Sequence, residues 1–513
     1  MTNVGLPQLF RQLTCIATFS LVQVLEDPKG FGRKVTLKLS QSLSSSGQVD
    51  AGFENRPFFH NPFTSLAKAF EGSRLGAVSG GKGTNQKQMM PAKGFVPFFE
   101  EKLEVGIPPS QNWKASDSVT PLFLVNSSLP YTQSGYTIRT EHLLRSLAKL
   151  FPDYTVVTRF GYPSIIGEFQ SSQRNPSVIH NVPLVYKRSY KKNVQNQIDF
   201  VLKLCREKEI DLIHVTTDFT NAQVAAVVAQ KMNIPWVYEV RGEPYNTWLS
   251  RFPSSEWAQK RESDFYKSFK RKELEACRAA SAVVVLSNVQ KQFLIDEGIA
   301  GKRITVAPNA VDPDEPDVPS AVFSVREQLG LPGNARVVGA ITSVVKYEGL
   351  EYLIRSIDFL PDEVHVVVVG DGEDLDRLNG IRLQVENQYK VHLVGRRPKS
   401  EMKAWYSELD VFVLPRIEAE VCRNVTPIKP LQALSLGVPV VASDLPAIRE
   451  VTGGFARYVV PGSVNALVEG IHEALDNPIE YMADEKWLKE RTWKQSAASI
   501  AKLYDETMRA KGK

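Results

Sequence analysis

The sequence has 513 residues, which is too long for one hydrophobic core, so we expect two domains and an additional segment. Hydrophobic residues make up 43% and charged residues 23%, the shares of an ordinary soluble protein. The net charge of +5 is small for this length, which excludes nucleic acid as a dominant partner and favours at most an acidic ligand or an anionic membrane surface.

The cysteines and the hydropathy pattern bear on the cellular compartment, on metal binding and on membrane-spanning helices. The four cysteines are scattered and form no C-x-x-C pair, which favours a reducing compartment over a disulfide framework or a zinc site. The sequence contains no run of about eighteen apolar residues, so no membrane-spanning helix is predicted. We therefore expect a cytoplasmic protein without a metal site.

Residues 1–117 are predicted to form an N-terminal extension that is partly helical and partly disordered. The apolar stretch 13–25 resembles a signal-peptide core, but polar residues interrupt it and no small-residue cleavage site follows. Basic and apolar side chains share helical spacing in residues 31–43, which fits a peripheral helix on the inner face of an anionic membrane. A helix packed on the protein's own folded domain explains the pattern equally well. Residues 44–117 are mostly polar and typical of a linker.

Strand and helix patterns alternate through a first half, residues 118–310. Apolar runs predict strands at residues 120–128, 154–158, 211–215, 236–240, 282–286 and 304–307, and helical spacing predicts helices at 139–150, 194–208, 222–231, 261–280 and 289–297. This alternation predicts a parallel sheet covered on both faces, with ligands bound outside the carboxyl ends of the strands.

Two residues of this half are candidates for a binding site. Gly135 follows the first strand and would let the backbone approach a ligand, although turn geometry alone also requires a glycine there. Arg241 follows the strand at 236–240 and suits a phosphate or a carboxylate. An ion pair with Glu239 or Glu243 is an equal alternative for Arg241. His214 lies inside its strand and is predicted to be a core residue.

A second alternating half, residues 311–487, follows a connector. Residues 308–319 contain four prolines and four acids, which indicates a break between domains. Strands are then predicted at 336–341, 364–369, 390–394, 410–414 and 438–442, and helices at 350–359, 399–409 and 427–436, with C-terminal helices at 463–475 and 487–508. Two such halves can bind a ligand in the cleft between them, and their closure would exclude water from it.

The segment between the strands at 410–414 and 438–442 is the main candidate for an anion site. A helix beginning near Lys429 would offer free N–H groups and the positive end of its dipole at the carboxyl edge of the sheet. Arg416 and Arg423 lie in the same segment, and no acid separates Arg423 from Lys429. The sequence therefore predicts a diphosphate-binding site in this segment.

The order of motifs in this chain resembles a known family. The motifs are Pro-Asn-Ala-Val-Asp at 308–312, Tyr-Glu-Gly-Leu at 347–350, Gly-Asp-Gly at 370–372, Val-Gly at 394–395, Leu-Pro at 414–415 and the segment 429–444. From about residue 121 onward, the chain resembles the retaining GT-B glycosyltransferases, in particular the nucleotide-sugar family 4, also described as group 1. The resemblance implies an α/β fold of two Rossmann-like parallel-sheet domains that face each other across a cleft.

The resemblance also assigns roles to the two domains. Residues 118–310, joined by a C-terminal helix at about 488–513, would form the acceptor domain, and residues 311–487 the nucleotide-sugar domain. The co-substrate would be a UDP- or GDP-sugar, with no cofactor and no required metal. The acceptor would be a polysaccharide or other glycan, a glycolipid or other lipid-linked sugar, or a protein.

The sequence departs from the family pattern at several functional positions. Two glutamates that commonly meet the donor sugar and the ribose correspond here to Asn424 and Gln432, which are neutral. The arginine and lysine that hold the diphosphate correspond to Ser343 and Glu348. A histidine usual in the N-terminal domain is replaced by Arg241. We infer that other cations bind the diphosphate, because an uncompensated diphosphate in a closed cleft is very costly.

The resemblance, adjusted for these departures, implies a set of site residues. The catalytic candidates are Arg241, Lys346 and Lys429. The donor-binding candidates are Ser343, Gly370, Arg416, Arg423, Asn424, Thr426 and Gln432. The acceptor-side candidates are Gly135, Tyr136 and Arg139.

The mechanism implied by the resemblance is front-face transfer with retention at the anomeric carbon. The departing diphosphate would itself take the acceptor proton, so the protein would support the leaving group and position the acceptor. The neutral residues at functional positions leave a second hypothesis, a non-catalytic subunit that partners an active enzyme. A sugar-nucleotide epimerase of the same architecture is a third. Binding of nucleoside diphosphates separates the first two hypotheses, and acceptor-dependent release of nucleotide separates the transferase from the epimerase.

Overall fold

The computed structural model describes residues 119–166, 168, 178–182, 190–311 and 324–511. The predicted N-terminal extension, including its amphipathic segment, lies outside the described residues, as does most of the predicted connector 308–319.

The first half of the described chain forms a parallel sheet of seven strands. Its strands are β1 (Pro121–Val125), β2 (Thr155–Thr158), β3 (Val178–Ile179), β4 (Leu212–Thr216), β5 (Trp236–Val240), β6 (Ala282–Val285) and β7 (Ile304–Val306). Their spatial order is β3-β2-β1-β4-β5-β6-β7. Every residue of β1, β4 and β5 is buried, since helices cover both faces of the sheet.

Seven helices in the described part of this half surround the sheet. They are α1 (Gly135–Leu147), α2 (Tyr190–Glu207), α3 (Phe219–Met232), α4 (Pro244–Leu249), α5 (Trp257–Arg261), α6 (Asp264–Ala279) and α7 (Asn288–Asp296). Ser134 caps α1: its side chain accepts a hydrogen bond from the amide of Thr137, and the Thr137 hydroxyl binds the Ser134 backbone in return. This cap places the start of α1 directly at the carboxyl edge of the sheet.

The second half forms a parallel sheet of six strands. Its strands are β8 (Arg336–Ile341), β9 (Val364–Val369), β10 (Val391–Gly395), β11 (Val411–Leu414), β12 (Val440–Ser443) and β13 (Arg457–Val459). Their spatial order is β10-β9-β8-β11-β12-β13. The helices are α8 (Val325–Leu329), α9 (Leu350–Ser356), α10 (Leu375–Arg382), α11 (Met402–Ser407), α12 (Glu420–Asn424), α13 (Lys429–Ser435), α14 (Pro446–Thr452), α15 (Val464–Asp476), α16 (Glu485–Glu490) and α17 (Trp493–Lys511).

The predicted fold class is confirmed, with differences in individual elements. Two strands at sheet edges, β3 and β13, were not predicted, because each has only two or three residues. The predicted helix at 261–280 is α6, which begins three residues later because Ser263 caps it, and the short α5 before it was not predicted. The predicted helix at 427–436 is the seven-residue α13, and α12 precedes it.

The last helix returns to the first domain. Trp493, at the start of α17, is 3% exposed and stacks on His142 of α1 with 5.6 Å between ring centroids. The hydroxyl of Tyr504 lies 2.6 Å from Nδ1 of His214 in β4. Thus α17 joins the C-terminal end of the chain to the core of the first domain. Over the described ranges, the structure contains no helix whose length and apolar character would allow it to cross a bilayer.

Candidate active site at the cleft between the two domains

The topology of each sheet creates a place for a ligand. In the first sheet the strand order reverses between β1 and β4, and in the second between β8 and β11. Ligands of open parallel sheets bind at such points, outside the carboxyl ends of the strands. The loops after β8 and β11 are in close backbone contact, because a Cβ on Gly349 would overlap the carbonyl oxygen of Pro415. The two loops therefore present their side chains together.

A carboxylate with two cations lies at the switch point of the second sheet. Glu348 is 1% exposed, and its Oε1 accepts hydrogen bonds from Nη2 of Arg416 at 2.8 Å and from Nζ of Lys429 at 2.9 Å. Nε of Arg416 lies 3.2 Å from Oε2 of the same carboxylate, and Lys429 also donates to the hydroxyl of Thr342. These residues, which we call the C-side cluster, carry one net positive charge.

Burial and neighbouring charges have opposing effects on each pKa in the C-side cluster. Burial raises the pKa of Glu348, but Arg416 and Lys429 together outweigh it and bring the pKa to about 2. Burial lowers the pKa of Lys429, and the Glu348 carboxylate opposes this change. Glu348 therefore stays ionised near neutral pH, and its carboxylate favours the charged forms of Arg416 and Lys429.

A second carboxylate with two cations lies at the end of β5 in the first domain. Glu239 is fully buried and accepts hydrogen bonds from Nη2 of Arg139 at 2.7 Å and from Nη2 of Arg241 at 2.5 Å. Nε2 of His214 lies 3.2 Å from Oε2 of Glu239. Burial raises the pKa of Glu239, but Arg241 and Arg139 hold it well below its usual range. We call these four residues the N-side cluster; burial lowers the pKa of His214, which leaves the cluster with one net positive charge.

The two arginines of the N-side cluster are largely occupied by the protein itself. Besides Glu239, Arg139 donates to the carbonyl oxygens of Ala307 at 2.8 Å and Pro308 at 3.0 Å and to the side chain of Asn309. All five of its N–H donors are used, so Arg139, predicted on the acceptor side, anchors α1 to the chain after β7 instead. Arg241 donates to the carbonyl oxygen of Tyr136 at 3.1 Å. It also pairs with Glu239, which is one of the two ion pairs that the sequence analysis gave as an alternative to a ligand contact.

The start of α1 faces the second domain. A Cβ on Gly135 would lie 3.6 Å from Cγ2 of Ile428. Tyr136 is 51% exposed, but its hydroxyl oxygen packs closely against Gly242, where it would overlap an added Cβ. Burial of this hydroxyl raises the pKa of Tyr136, and the charges of Arg241 and Arg416 oppose the change. The hydroxyl of Tyr136 is thus close enough to Arg241 and Arg416 for their charges to act on it.

Other predicted donor residues lie in different surroundings. Arg423 is exposed and pairs with Glu418 at 2.8 Å on the surface, away from the C-side cluster. Gln432 accepts a hydrogen bond from the hydroxyl of Tyr406 at 3.1 Å within the second domain. Gly370 has φ +149°, and a Cβ there would overlap the carbonyl oxygen of Thr342, so the loop geometry alone requires this glycine.

Three further candidates lie in loops beside the C-side cluster. Ser343 is exposed directly after β8. Lys346 is half-buried in the turn that leads to Glu348 and forms no ion pair with the part of the chain that the structure describes. Thr426 is 5% exposed; its carbonyl oxygen accepts a hydrogen bond from Nδ2 of Asn309 at 3.2 Å, which joins the two domains.

A contact that the sequence did not predict crosses the cleft. Nδ2 of Asn424, at the end of α12, lies 3.2 and 3.3 Å from the two carboxylate oxygens of Glu243 in the first domain. The sequence analysis considered Glu243 only as an ion-pair partner for Arg241. It considered Glu348 only as a residue at a position where the family has a diphosphate-binding lysine. Arg416 lies 68 residues from Glu348 and Asn424 lies 181 residues from Glu243, so no local pattern could have identified these pairs.

Two protein-family models match this chain, one in each half. The model "Glycosyltransferase Family 4" matches residues 134–315, and the model "Glycosyl transferases group 1" matches residues 323–498. Together the two matches cover more than two thirds of the chain.

Characterised and named relatives are distant. TuaC of Bacillus subtilis, a glycosyltransferase named for teichuronic acid biosynthesis, is 26% identical over 54% of this chain and 66% of its own length. The 2-deoxystreptamine glucosyltransferase of Streptomyces kanamyceticus is 25% identical over 46% of this chain and 63% of its own length. This chain thus spans a little under two thirds of these two relatives. The D-inositol 3-phosphate glycosyltransferase of Corynebacterium jeikeium is 24% identical over 72% of this chain and 91% of its own length.

Solved structures share the fold. Sucrose-phosphate synthase from Thermosynechococcus elongatus superposes with a TM-score of 0.59 at 18% identity, covering 76% of this chain and all of that chain. HepE of Anabaena, solved in complex with UDP, gives a TM-score of 0.57 at 19% identity over 76% of this chain and all of its own. The non-catalytic subunit considered above receives no support from these matches. The two consecutive family matches and the two facing sheets show that this chain has the GT-B fold and that both of its halves resemble those of glycosyltransferases.

Proposed function

We propose that the protein transfers a sugar from a nucleoside-diphosphate donor to an acceptor hydroxyl, with retention of configuration at the anomeric carbon. The observation that carries this proposal is the surplus of positive charge on both sides of the cleft. Each of the two buried clusters binds two cations to one carboxylate, so each attracts an anion. The complexes of HepE with UDP and with UDP-glucose support a nucleotide-sugar donor.

In this proposal the residues of the second domain bind the donor. Arg416, Lys429 and Lys346 bind the diphosphate and stabilise the charge that develops as it departs. Gln432 binds the ribose and Asn424 the transferred sugar. These cations supply the positive charge, so the reaction needs no metal ion.

The first domain positions the acceptor. Gly135 and Tyr136 form the wall on that side, and Arg241 holds the loop behind them through the carbonyl oxygen of Tyr136. The leaving diphosphate takes the acceptor proton. A glycan or a lipid-linked sugar is the proposed acceptor, and residues 1–43 are proposed to bring the enzyme to an anionic membrane surface.

The test offers the full-length protein a panel of UDP- and GDP-sugars with simple glycan and lipid-linked acceptors. We expect transfer of one sugar, detected by mass spectrometry, with an unchanged anomeric configuration by nuclear magnetic resonance and undiminished rates in excess EDTA. Inversion at the anomeric carbon would overturn the retaining mechanism. Failure to bind any nucleoside diphosphate by calorimetry would overturn the donor assignment.

A further inference from the structure

Glu243 places a buried carboxylate in the cleft at the point where the two domains meet. It follows β5 by three residues and is 2% exposed. Nδ2 of Asn246 donates to its Oε2 at 2.6 Å from the first turn of α4, and Nδ2 of Asn424 approaches both oxygens from the second domain. The carboxylate therefore bridges the cleft.

This carboxylate differs from the other two buried carboxylates described above. Glu239 and Glu348 each bind two cations, whereas Glu243 forms no ion pair with any residue that the structure describes and is held by two neutral amides. Burial raises the pKa of Glu243 to about 7. A buried carboxylate without a cation is costly, and such groups concentrate at functional sites. Purely structural bridging between domains would be served by an amide at lower cost.

The contact also joins two groups with complementary hydrogen bonding. Asn424 has one amide oxygen and two N–H donors, and an ionised Glu243 only accepts hydrogen bonds. A carboxylate and an amide about 3 Å apart can bind neighbouring hydroxyls of one sugar ring, with the carboxylate accepting from both and the amide donating or accepting as needed. The amide stands in the second domain and the carboxylate in the first, so the pair is complete only when the two domains meet.

We propose that Glu243 is a substrate-binding residue whose carboxylate accepts hydrogen bonds from hydroxyls of the transferred sugar, so that the carboxylate of the sugar subsite comes from the first domain. This inference rests on the proposed function and extends it to a residue outside the nucleotide-sugar domain. The sugar subsite then forms on domain closure, which couples recognition of the sugar to the exclusion of water.

The test compares dissociation constants for UDP and GDP with those for UDP-glucose and GDP-mannose, measured by calorimetry on the full-length protein. In Glu243→Gln we expect the dissociation constant of the sugar nucleotide that the wild type binds to rise by about tenfold to 100-fold, which is the range for losing a hydrogen bond to a charged group. The dissociation constant of the nucleotide without a sugar should stay unchanged. Asn424→Glu places a second carboxylate beside Glu243, and the repulsion between the two should also lower the affinity for the sugar nucleotide. The double variant Glu243→Gln/Asn424→Glu moves the carboxylate to the second domain and should regain at least tenfold over either single variant.

Controls separate sugar binding from domain contact. Lys399 of the second domain also contacts the first domain, through Glu141 at 2.7 Å, in a partly exposed ion pair, so Glu141→Gln should change neither dissociation constant. If Glu243→Gln does not fold, Glu243→Asp keeps the charge but draws the carboxylate back from the second domain, and it should show the same selective loss.

Two results would count against the inference, and they differ. Equal weakening of bare nucleotide and sugar nucleotide, or no weakening of either, would overturn the role of Glu243 alone. Absence of binding of any of the four ligands by the wild type would overturn the proposed function, and this inference with it.

Discussion

Glu348 shows how one residue reorganises the charges of a site. From the sequence, a glutamate at this position only removes a cation. In the structure the same glutamate binds Arg416 and Lys429, which come from the loop after β11 and from α13. From the sequence, both cations were predicted to lie at the cleft, because both follow the end of the strand at 410–414. The sequence could not show that they share a carboxylate 68 and 81 residues earlier.

Replacing Glu348 by Gln should destabilise the protein in a pH-dependent way. The pKa of Glu348 falls from 4.5 to about 2 in the folded protein, which corresponds to about 3 kcal/mol of stability. Because the folded pKa is the lower one, this stability is complete above about pH 4.5 and is lost as the pH falls towards 2. Urea unfolding at several pH values should show a large difference from the wild type at pH 7 and a shrinking one in acid. Glu418→Gln, which affects only an exposed pair, is the control, and a difference independent of pH would contradict the linkage.

Lys429 and Arg423 offer a matched pair of cations six residues apart. Lys429 is in the C-side cluster, whereas Arg423 is on the surface. We expect Lys429→Ala to weaken binding of the nucleoside diphosphate by about tenfold to 100-fold, since it removes a charge-assisted hydrogen bond of about 1.5–3 kcal/mol. Arg423→Ala should bind as the wild type does. Calorimetric titration decides the matter, and equal affinities for both variants would exclude Lys429 from the donor site.

At the scale of elements, apolar periodicity predicted the central sheet strands and missed short pieces. The strands at 236–240, 336–341 and 364–369 were predicted to the residue, because runs of β-branched and aromatic residues between turns leave little alternative. The start of α1 was predicted four residues late. Gly135 and Tyr136 lack the apolar spacing, and the helix begins where Ser134 caps it. Short helices such as α12 are held by tertiary contacts that no local pattern reveals.

The cap of α1 should matter for function as well as for stability. Ser134→Ala removes a hydrogen bond to the amide of Thr137 and should cost about 1 kcal/mol in unfolding free energy. Ser463 also caps a helix, α15, through the amide of Ala466, and it follows β13, the outermost strand of the second sheet. Ser463→Ala should therefore cost a similar amount of stability without changing turnover, while Ser134→Ala also lowers kcat/KM, because α1 carries Tyr136 into the cleft. Equal turnover in the two variants would contradict a role for the start of α1.

At the scale of the whole molecule, polar pairs at the surface contribute to the contact between the domains. Nζ of Lys399 lies 2.7 Å from Glu141, and Nε of Arg251 lies 3.1 Å from Glu373. Both pairs are partly exposed and are worth at most about 1 kcal/mol each. Interfaces of this kind separate readily, whereas α17 is inserted into the first domain through buried aromatic residues. The second domain can thus move relative to the first while α17 stays in place.

Glu450 should control how often the two domains separate. Its carboxylate accepts hydrogen bonds from the backbone amides of Asn288 at 2.6 Å and Val289 at 2.9 Å, so a residue of α14 binds the free N–H groups at the start of α7 in the other domain. Glu450→Ala should remove these charge-assisted bonds, worth about 1.5–3 kcal/mol, and shift the population towards an open arrangement. We expect a larger radius of gyration by small-angle scattering, and a return to the wild-type value when saturating donor nucleotide holds the cleft closed. Asp444→Ala breaks an exposed pair with Arg449 inside the second domain and should leave the radius unchanged. An unchanged radius in Glu450→Ala would mean that the buried contacts around Asn309 and Asn424, rather than this cap, hold the domains together.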